Sequence, residues 1–201
     1  MHLAHTLLIP LLVGLVSVVQ GEKTAKEAAV LARKLVQSTG IGTLITTQAS
    51  TQGQFQGYPF GSMDYYSDDC PSTGNPIFVL SDIQTNTKNL MEDPRASLSI
   101  QDIHTTQGTP MSRMRMTLTG KLKRMNPSSK ANAHGWVPDE NGDSGFHDFH
   151  WWRLEVEGVY WIGGFGGLHY IGPLNITEYF DSTPKPSLHT KERQIMFPQP
   201  W

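Results

Sequence analysis

This chain cannot form an internal disulfide bond. Its 201 residues include a single cysteine, Cys70, so stability in an oxidising compartment has to come from packing rather than cross-links. Cys70 reads as a packed or idle loop thiol, because a catalytic cysteine needs a neighbouring base that spacing does not supply. Charge is scarce too. Asp, Glu, Lys and Arg make up 17% of the chain, the formal net charge is −2, and no Lys/Arg block exceeds a few residues. That pattern argues against a nucleic-acid surface, which needs clustered cations. The main apolar run, Leu7 to Val19, is shorter than the roughly 20 residues of a membrane-spanning helix. The motifs of several large catalytic classes are also missing: GxSxG, the P-loop, HExxH, paired CxxC and the dinucleotide fingerprint.

What is present begins at the N-terminus. Leu7 to Val19 has the length of a signal-peptide core, with Val19 and Gly21 at the −3 and −1 positions of a cut after Gly21. His2 and His5 stand where Lys or Arg is usual. Residues 1–21 are therefore expected to be a cleaved signal peptide, with no membrane span left after its removal. Asn175-Ile176-Thr177 is an acceptor sequon for glycosylation in a eukaryotic secretory lumen. Together these point to a secreted protein or one of the endolysosomal lumen. The 8 histidines would turn the chain net positive in an acidic compartment.

Length allows one domain with a sizeable core. Lys23 to Ser38 has helical periodicity, with Ala25, Ala28, Ala29, Ala32, Leu35 and Val36 on one face and Lys26, Glu27, Arg33 and Lys34 on the other. Gly40 and Gly42 end it. Strand-like runs follow at Ile41 to Thr47, Pro59 to Tyr66, Ile77 to Leu80, Ala96 to Ile103 and Met114 to Arg124. A short helix, Asn86 to Glu92, is capped by Thr85 and stopped by Asp93-Pro94. Phe149 to Val156 and Gly158 to Ile162 read as a hairpin about Glu157-Gly158. Asn126 to Phe146 is a polar loop, and residues 182–201 form a Pro-rich tail. A leading helix and about six short strands make the fold class mainly β, a barrel with a few helices.

One dispersed set of residues carries the chemistry. Ser62 lies on one strand, Ser81 ends the next, Thr87 and Lys88 open a helix, and Arg113 and Arg115 precede or start a later strand. Hydroxyls, helix N-terminal amides and cations are what a phosphate monoester needs, but spacing does not show that they converge. Gly163-Gly164-Phe165-Gly166-Gly167 reads as a bulge or close strand crossing. His147-Asp148-Phe149-His150 is a weak metal signal, because strand alternation sends His147 and His150 to opposite faces. No metal site is expected.

The segments resemble the CREG family of secreted cellular-repressor glycoproteins, within the pyridoxamine 5'-phosphate oxidase-like FMN-binding split barrels. The resemblance rests on Gly57-Tyr58-Pro59-Phe60-Gly61-Ser62, Leu80-Ser81, Thr87-Lys88-Asn89-Leu90, Asp93-Pro94-Arg95-Ala96-Ser97-Leu98, Arg115-Met116-Thr117-Leu118-Thr119-Gly120 and Phe165-Gly166-Gly167, in family order. It implies one split-barrel domain over residues 22–181, a homodimer, and a vestigial flavin site at Ser62, Ser81, Thr87 and Lys88. Gly163-Gly164-Phe165-Gly166 is closer to bacterial heme-utilisation relatives and keeps a cofactor role open.

The leading reading is a non-catalytic secreted or lysosomal glycoprotein that binds a protein partner or glycoprotein receptor, with Asn175 glycosylated and no cofactor. The alternative is an FMN-dependent oxidoreductase; a cofactor-free enzyme reusing the empty pocket ranks third. Asp68 and Asp69, in the Ser67 to Pro76 loop, are expected to lie across the site and repel a phosphate.

Overall fold

The computed structural model describes residues 22, 24–69, 71–126 and 149–182. Residues 1–21, expected to be a signal peptide, together with Cys70, His147, Asp148, nearly all of the 126–146 loop and the tail from residue 183, lie outside the described residues.

Helix α1 (Ala25–Thr39) starts at a capping box. Thr24 accepts from the Glu27 amide, the Glu27 side chain reaches back to Thr24, and Gly40 ends the helix at φ 71°, a left-handed conformation that suits glycine. Its alanine-rich stripe is buried as the periodicity predicts. Arg33 departs from that reading. Placed by periodicity on the solvent face, it is 0% exposed, because its guanidinium turns under the Ser67 to Pro76 loop, toward Ser72 and Asp68.

Seven strands form one antiparallel sheet: β1 (Ile41–Thr47), β2 (Pro59–Tyr65), β3 (Ile77–Ser81), β4 (Arg95–Gln101), β5 (Arg115–Arg124), β6 (Phe149–Ile162) and β7 (Ile171–Leu174). The order is β2-β1-β4-β5-β6-β3, and β7 pairs with the later half of β6. The end strands β2 and β3 approach one another without a ladder, and a lone Ser67–Ile77 bridge spans the split. Inside, Leu44, Leu98, Leu118, Phe78, Leu80 and Leu154 are almost fully buried, each contributing about 1.5–3 kcal/mol. Helix α2 (Thr85–Glu92) follows β3, and α3 (Ile176–Asp181) follows β7 and packs on α1.

The expected hairpin at Glu157-Gly158 is absent. β6 runs straight through, and the ladder to β5 shifts register between Thr119 and Gly120, leaving Glu157 as the extra residue. This β-bulge explains the glycine signal without a turn. Gly120 is needed there, since a Cβ would sit 1.9 Å from the Glu155 carbonyl oxygen. The true reversal comes later, at Gly163 to Tyr170, the glycine-rich stretch read as a bulge or strand crossing. α2 also begins one residue early, with Gln84 at the N-cap position and no side-chain cap bond.

Candidate functional site

At the α2 corner, three of the four expected cofactor residues come together. Asn86 Nδ2 donates to Ser62 Oγ at 2.8 Å. Thr46 Oγ1 donates to Asn86 Oδ1 at 2.8 Å, Asn89 Nδ2 donates to Thr46 Oγ1 at 2.9 Å, and Asn89 Oδ1 accepts from the Ala49 amide at 2.9 Å. Beside this chain, Thr87 Oγ1 donates to the Ser81 carbonyl at 2.8 Å. Ser81, Asn86, Thr87 and Asn89 are all buried. A buried polar network stabilises only when its members are satisfied, and here they satisfy one another. The Thr87 hydroxyl therefore points into the protein and Ser81 is buried, while half-buried Ser62 accepts from Asn86 and keeps its own O–H. Lys88, one residue further round the helix, is exposed and borders a shallow groove with Ala49, Thr51, Gln52, Met91 and Glu92. Asn86 and Asn89, three apart on the face that flanks Thr87, went unread because exposed helices carry asparagine just as often.

The arginines do not join this corner. Arg115 pairs with Gln101 and Ile162, whereas Arg95, which follows α2, pairs with Lys121 further along β5. Arg113 and Arg115 thus stand at the opposite end of the barrel. The expected repulsion by the Ser67 to Pro76 loop also fails. Asp69 pairs with Arg153 at 2.9 Å and Asp68 faces the Arg33 guanidinium at 4.0 Å, so both charges meet cations of this chain. His150 Nε2 lies 3.2 Å from Asp82 Oδ2. Among the described residues no three His, Cys, Asp or Glu side chains gather as metal ligands. Asn175 is exposed, and its Oδ1 caps α3 by accepting from the Thr177 and Glu178 amides, which leaves Nδ2 clear for a glycan.

A second group, not singled out by spacing, lies at the turn between β6 and β7. Glu22 is separated in sequence from everything it touches there. Its Oε1 accepts from the buried Trp161 indole at 2.9 Å, its Oε2 lies 2.9 Å from His169 Nδ1, and its carbonyl accepts from the Tyr170 amide at 2.9 Å. Gly163 makes the room, because a Cβ there would fall 1.5 Å from Glu22 Oε1. Phe165 and Leu168 project from the same turn and are exposed. A Cβ on Gly164 would lie 3.0 Å from the Ser112 carbonyl, so the turn adjoins the segment leading to Arg113. Arg113 Nε is buried with no protein acceptor among the described residues.

A model described as CREG, beta-barrel, matches residues 23–181. The chain belongs to the CREG family. Its fold is the split barrel of the pyridoxamine-phosphate-oxidase-like group. The chain is 27% identical over 154 residues to the non-canonical heme oxygenase HOZ, chloroplastic, of Arabidopsis thaliana, covering 71% of this chain and 43% of that protein. It thus spans less than half of that relative. A heme binding protein from Mycobacterium smegmatis is 27% identical with a TM-score of 0.62, covering 80% of this chain and 61% of that one. The Atu2129 protein of Agrobacterium tumefaciens, of unknown function, aligns at 20% identity and a TM-score of 0.52 over 75% and 62% of the two chains, a likeness of fold alone.

One carboxylate near this corner has a pH signature. Asp64, on the inner side of β2, is raised to about 6, first by burial, with the Tyr65 amide bond opposing. A carboxyl whose folded value exceeds its unfolded one weakens the fold as pH rises between the two. Asp64 should therefore favour the folded state most below about pH 4 and penalise it above about 6. Asp64→Asn is expected to raise the melting temperature at pH 7.5 and leave it unchanged at pH 3.5. Equal melting of both proteins at pH 7.5 would refute the shift.

Proposed function

We propose that the mature protein is a secreted or endolysosomal homodimeric binding protein, glycosylated at Asn175, whose small-molecule ligand is a heme-type tetrapyrrole and not a flavin nucleotide. The observation that carries this reading is the contrast between the two ends of the barrel. Thr87 donates to the Ser81 carbonyl and both are buried, so of the four expected residues a flavin phosphate would meet only Lys88 and the O–H of Ser62, whose oxygen already accepts from Asn86. A heme needs apolar contact, cations for two carboxylates and one axial ligand, since the macrocycle supplies four of its own. The β6–β7 turn offers exposed Phe165 and Leu168 and an imidazole that shares the Gly164 position with the Ser112 carbonyl, one residue before Arg113. The identity to a heme oxygenase and a heme binding protein supports the same choice. Bound heme would bring an iron centre, and this chain's part would be to hold and orient it.

The dimer reading rests on the outer face of the sheet. Gly61, Ile45, Ser97, Thr119 and Gly158 line up across five strands, and Met63, Thr43, Ser99, Thr117 and Tyr160 form the next row. Neither row carries a charge, and Met63 is 76% exposed. Charged residues flank the two rows, with Arg95, Lys121, Glu155 and Glu157 on one side and Arg115 on the other. An uncharged, flat, half-exposed sheet face suits a second copy of itself.

The flavin reading keeps two observations in its favour, the exposed Lys88 on α2 and the O–H of Ser62. Protein recovered from the medium of a eukaryotic host, starting at Glu22 and losing mass on glycosidase treatment, separates the two. Titrated with hemin, it should show a saturable Soret change at micromolar concentration or below, about −8 kcal/mol or better, and no saturable quenching of FMN. Yellow protein, or FMN quenching abolished by Lys88→Ala, would reverse the assignment.

A further inference from the structure

The Glu22–His169 pair has the geometry of an oriented metal ligand. His169 Nδ1 is engaged by Glu22 Oε2 at 2.9 Å, which puts the ring proton on Nδ1 and leaves a lone pair on Nε2. The Glu22 carboxylate is 6% exposed and the His169 side chain 28%, so the anchor is buried while the ring still reaches the surface. Nε2 has no hydrogen-bond partner among the described residues. The second oxygen of Glu22 is held by Trp161 Nε1, so the carboxylate cannot swing away. Histidines that bind metals commonly donate their other N–H to a carboxylate, which fixes the tautomer and raises ligand basicity. A salt bridge serving stability alone would not need the glycine pair Gly163-Gly164. A Cβ on Gly163 would strike Glu22, and one on Gly164 would come 2.8 Å from His169 Cδ2 and 3.2 Å from Nε2.

We propose that His169 Nε2 is the protein ligand to a heme iron and that Glu22 is its positioning residue. This rests on the heme reading above and assigns the atoms that carry it. The bond is dative: Nε2 gives its lone pair to the iron and displaces water or chloride, with no change of oxidation state. If the signal peptide is cut after Gly21, the positioning carboxylate belongs to the first residue of the mature chain. A cut one residue later would remove it.

Hemin titration of the chain starting at Glu22, followed by absorbance and electron paramagnetic resonance, tests the assignment. Glu22→Gln keeps an acceptor for Trp161 but presents an amide N–H to His169 Nδ1. That moves the ring proton to Nε2, and hemin affinity is expected to fall about 10–100-fold. His169→Ala should lose the histidine-ligated spectrum while retaining its circular dichroism, and added imidazole should restore that spectrum. If His169→Ala keeps the parent Soret band and affinity, the ligand assignment is overturned and the heme reading stands. If the parent chain shows no saturable hemin binding, both fall.

Discussion

Asp68→Ala is expected to remove about 3–5 kcal/mol of stability, the usual consequence of stripping the partner from a buried charge. Arg33 is 0% exposed, yet its Nε and Nη1 have no hydrogen-bond partner among the described residues. Its guanidinium is held by Ser72 Oγ at 2.7 Å, by the Tyr179 ring at 5.3 Å and by the Asp68 carboxylate at 4.0 Å. Asp68 also organises the loop itself. Its Oδ1 accepts from the amides of Asp69 and Gly74, and its Oδ2 from Ser72 Oγ. Gly74 in turn gives its carbonyl to the Tyr179 hydroxyl at 2.7 Å, which ties α3 to the same point. Alanine at 68 would leave an uncompensated cation and release three loop bonds together. Asp68→Asn keeps the amide acceptor and should cost clearly less. Urea unfolding of the three proteins decides it, and a loss below about 1 kcal/mol for the alanine variant would show that Arg33 does not depend on Asp68. Arg33→Met in the Asp68→Ala background should recover part of the loss, because a buried apolar side chain needs no counter-charge.

Thr117→Arg should convert the protein from dimer to monomer, weakening self-association at least about 100-fold, or about 3 kcal/mol. Thr117 lies in the middle of the uncharged outer row, opposite Ser99 on one side and Tyr160 on the other. An arginine there would be buried twice, once from each copy, without an acid to pair with. The side chain points away from the core, so the fold itself should melt at nearly the parent temperature. Analytical ultracentrifugation of both proteins at tens of micromolar gives the answer. A monomeric parent, or a variant that stays dimeric, would refute this face as the interface.

The β1, β4 and β5 strands and α1 were legible because each carries its own periodicity. Met116, Leu118 and Leu122 alternate inward, and the alanine stripe of α1 returns every three or four residues. The ends of β6 were not legible. A glycine opposite a bulge and a glycine in a turn look alike along the chain, and only the β5 ladder distinguishes Gly158 from Gly163. β7 and α3 escaped because four and six residues are too short for a pattern. The expected site fared unevenly for a related reason. Ser62, Ser81 and Thr87 do gather at one corner, but whether a hydroxyl faces a ligand or the protein depends on partners that no fixed spacing specifies, here Asn86 for Ser62 and the Ser81 carbonyl for Thr87.

The sequence by itself determined the family, through short motifs in a specific order, and the mainly β barrel with its leading helix, through local periodicity along the chain. Tertiary structure alone decided where charge and hydrogen-bonding capacity ended up. It buried Arg33 under Asp68, closed Thr87 onto Ser81, and brought Glu22 to His169 across 147 residues. Polar groups leaving water must find partners wherever the fold supplies them, and those partners stand at no fixed spacing.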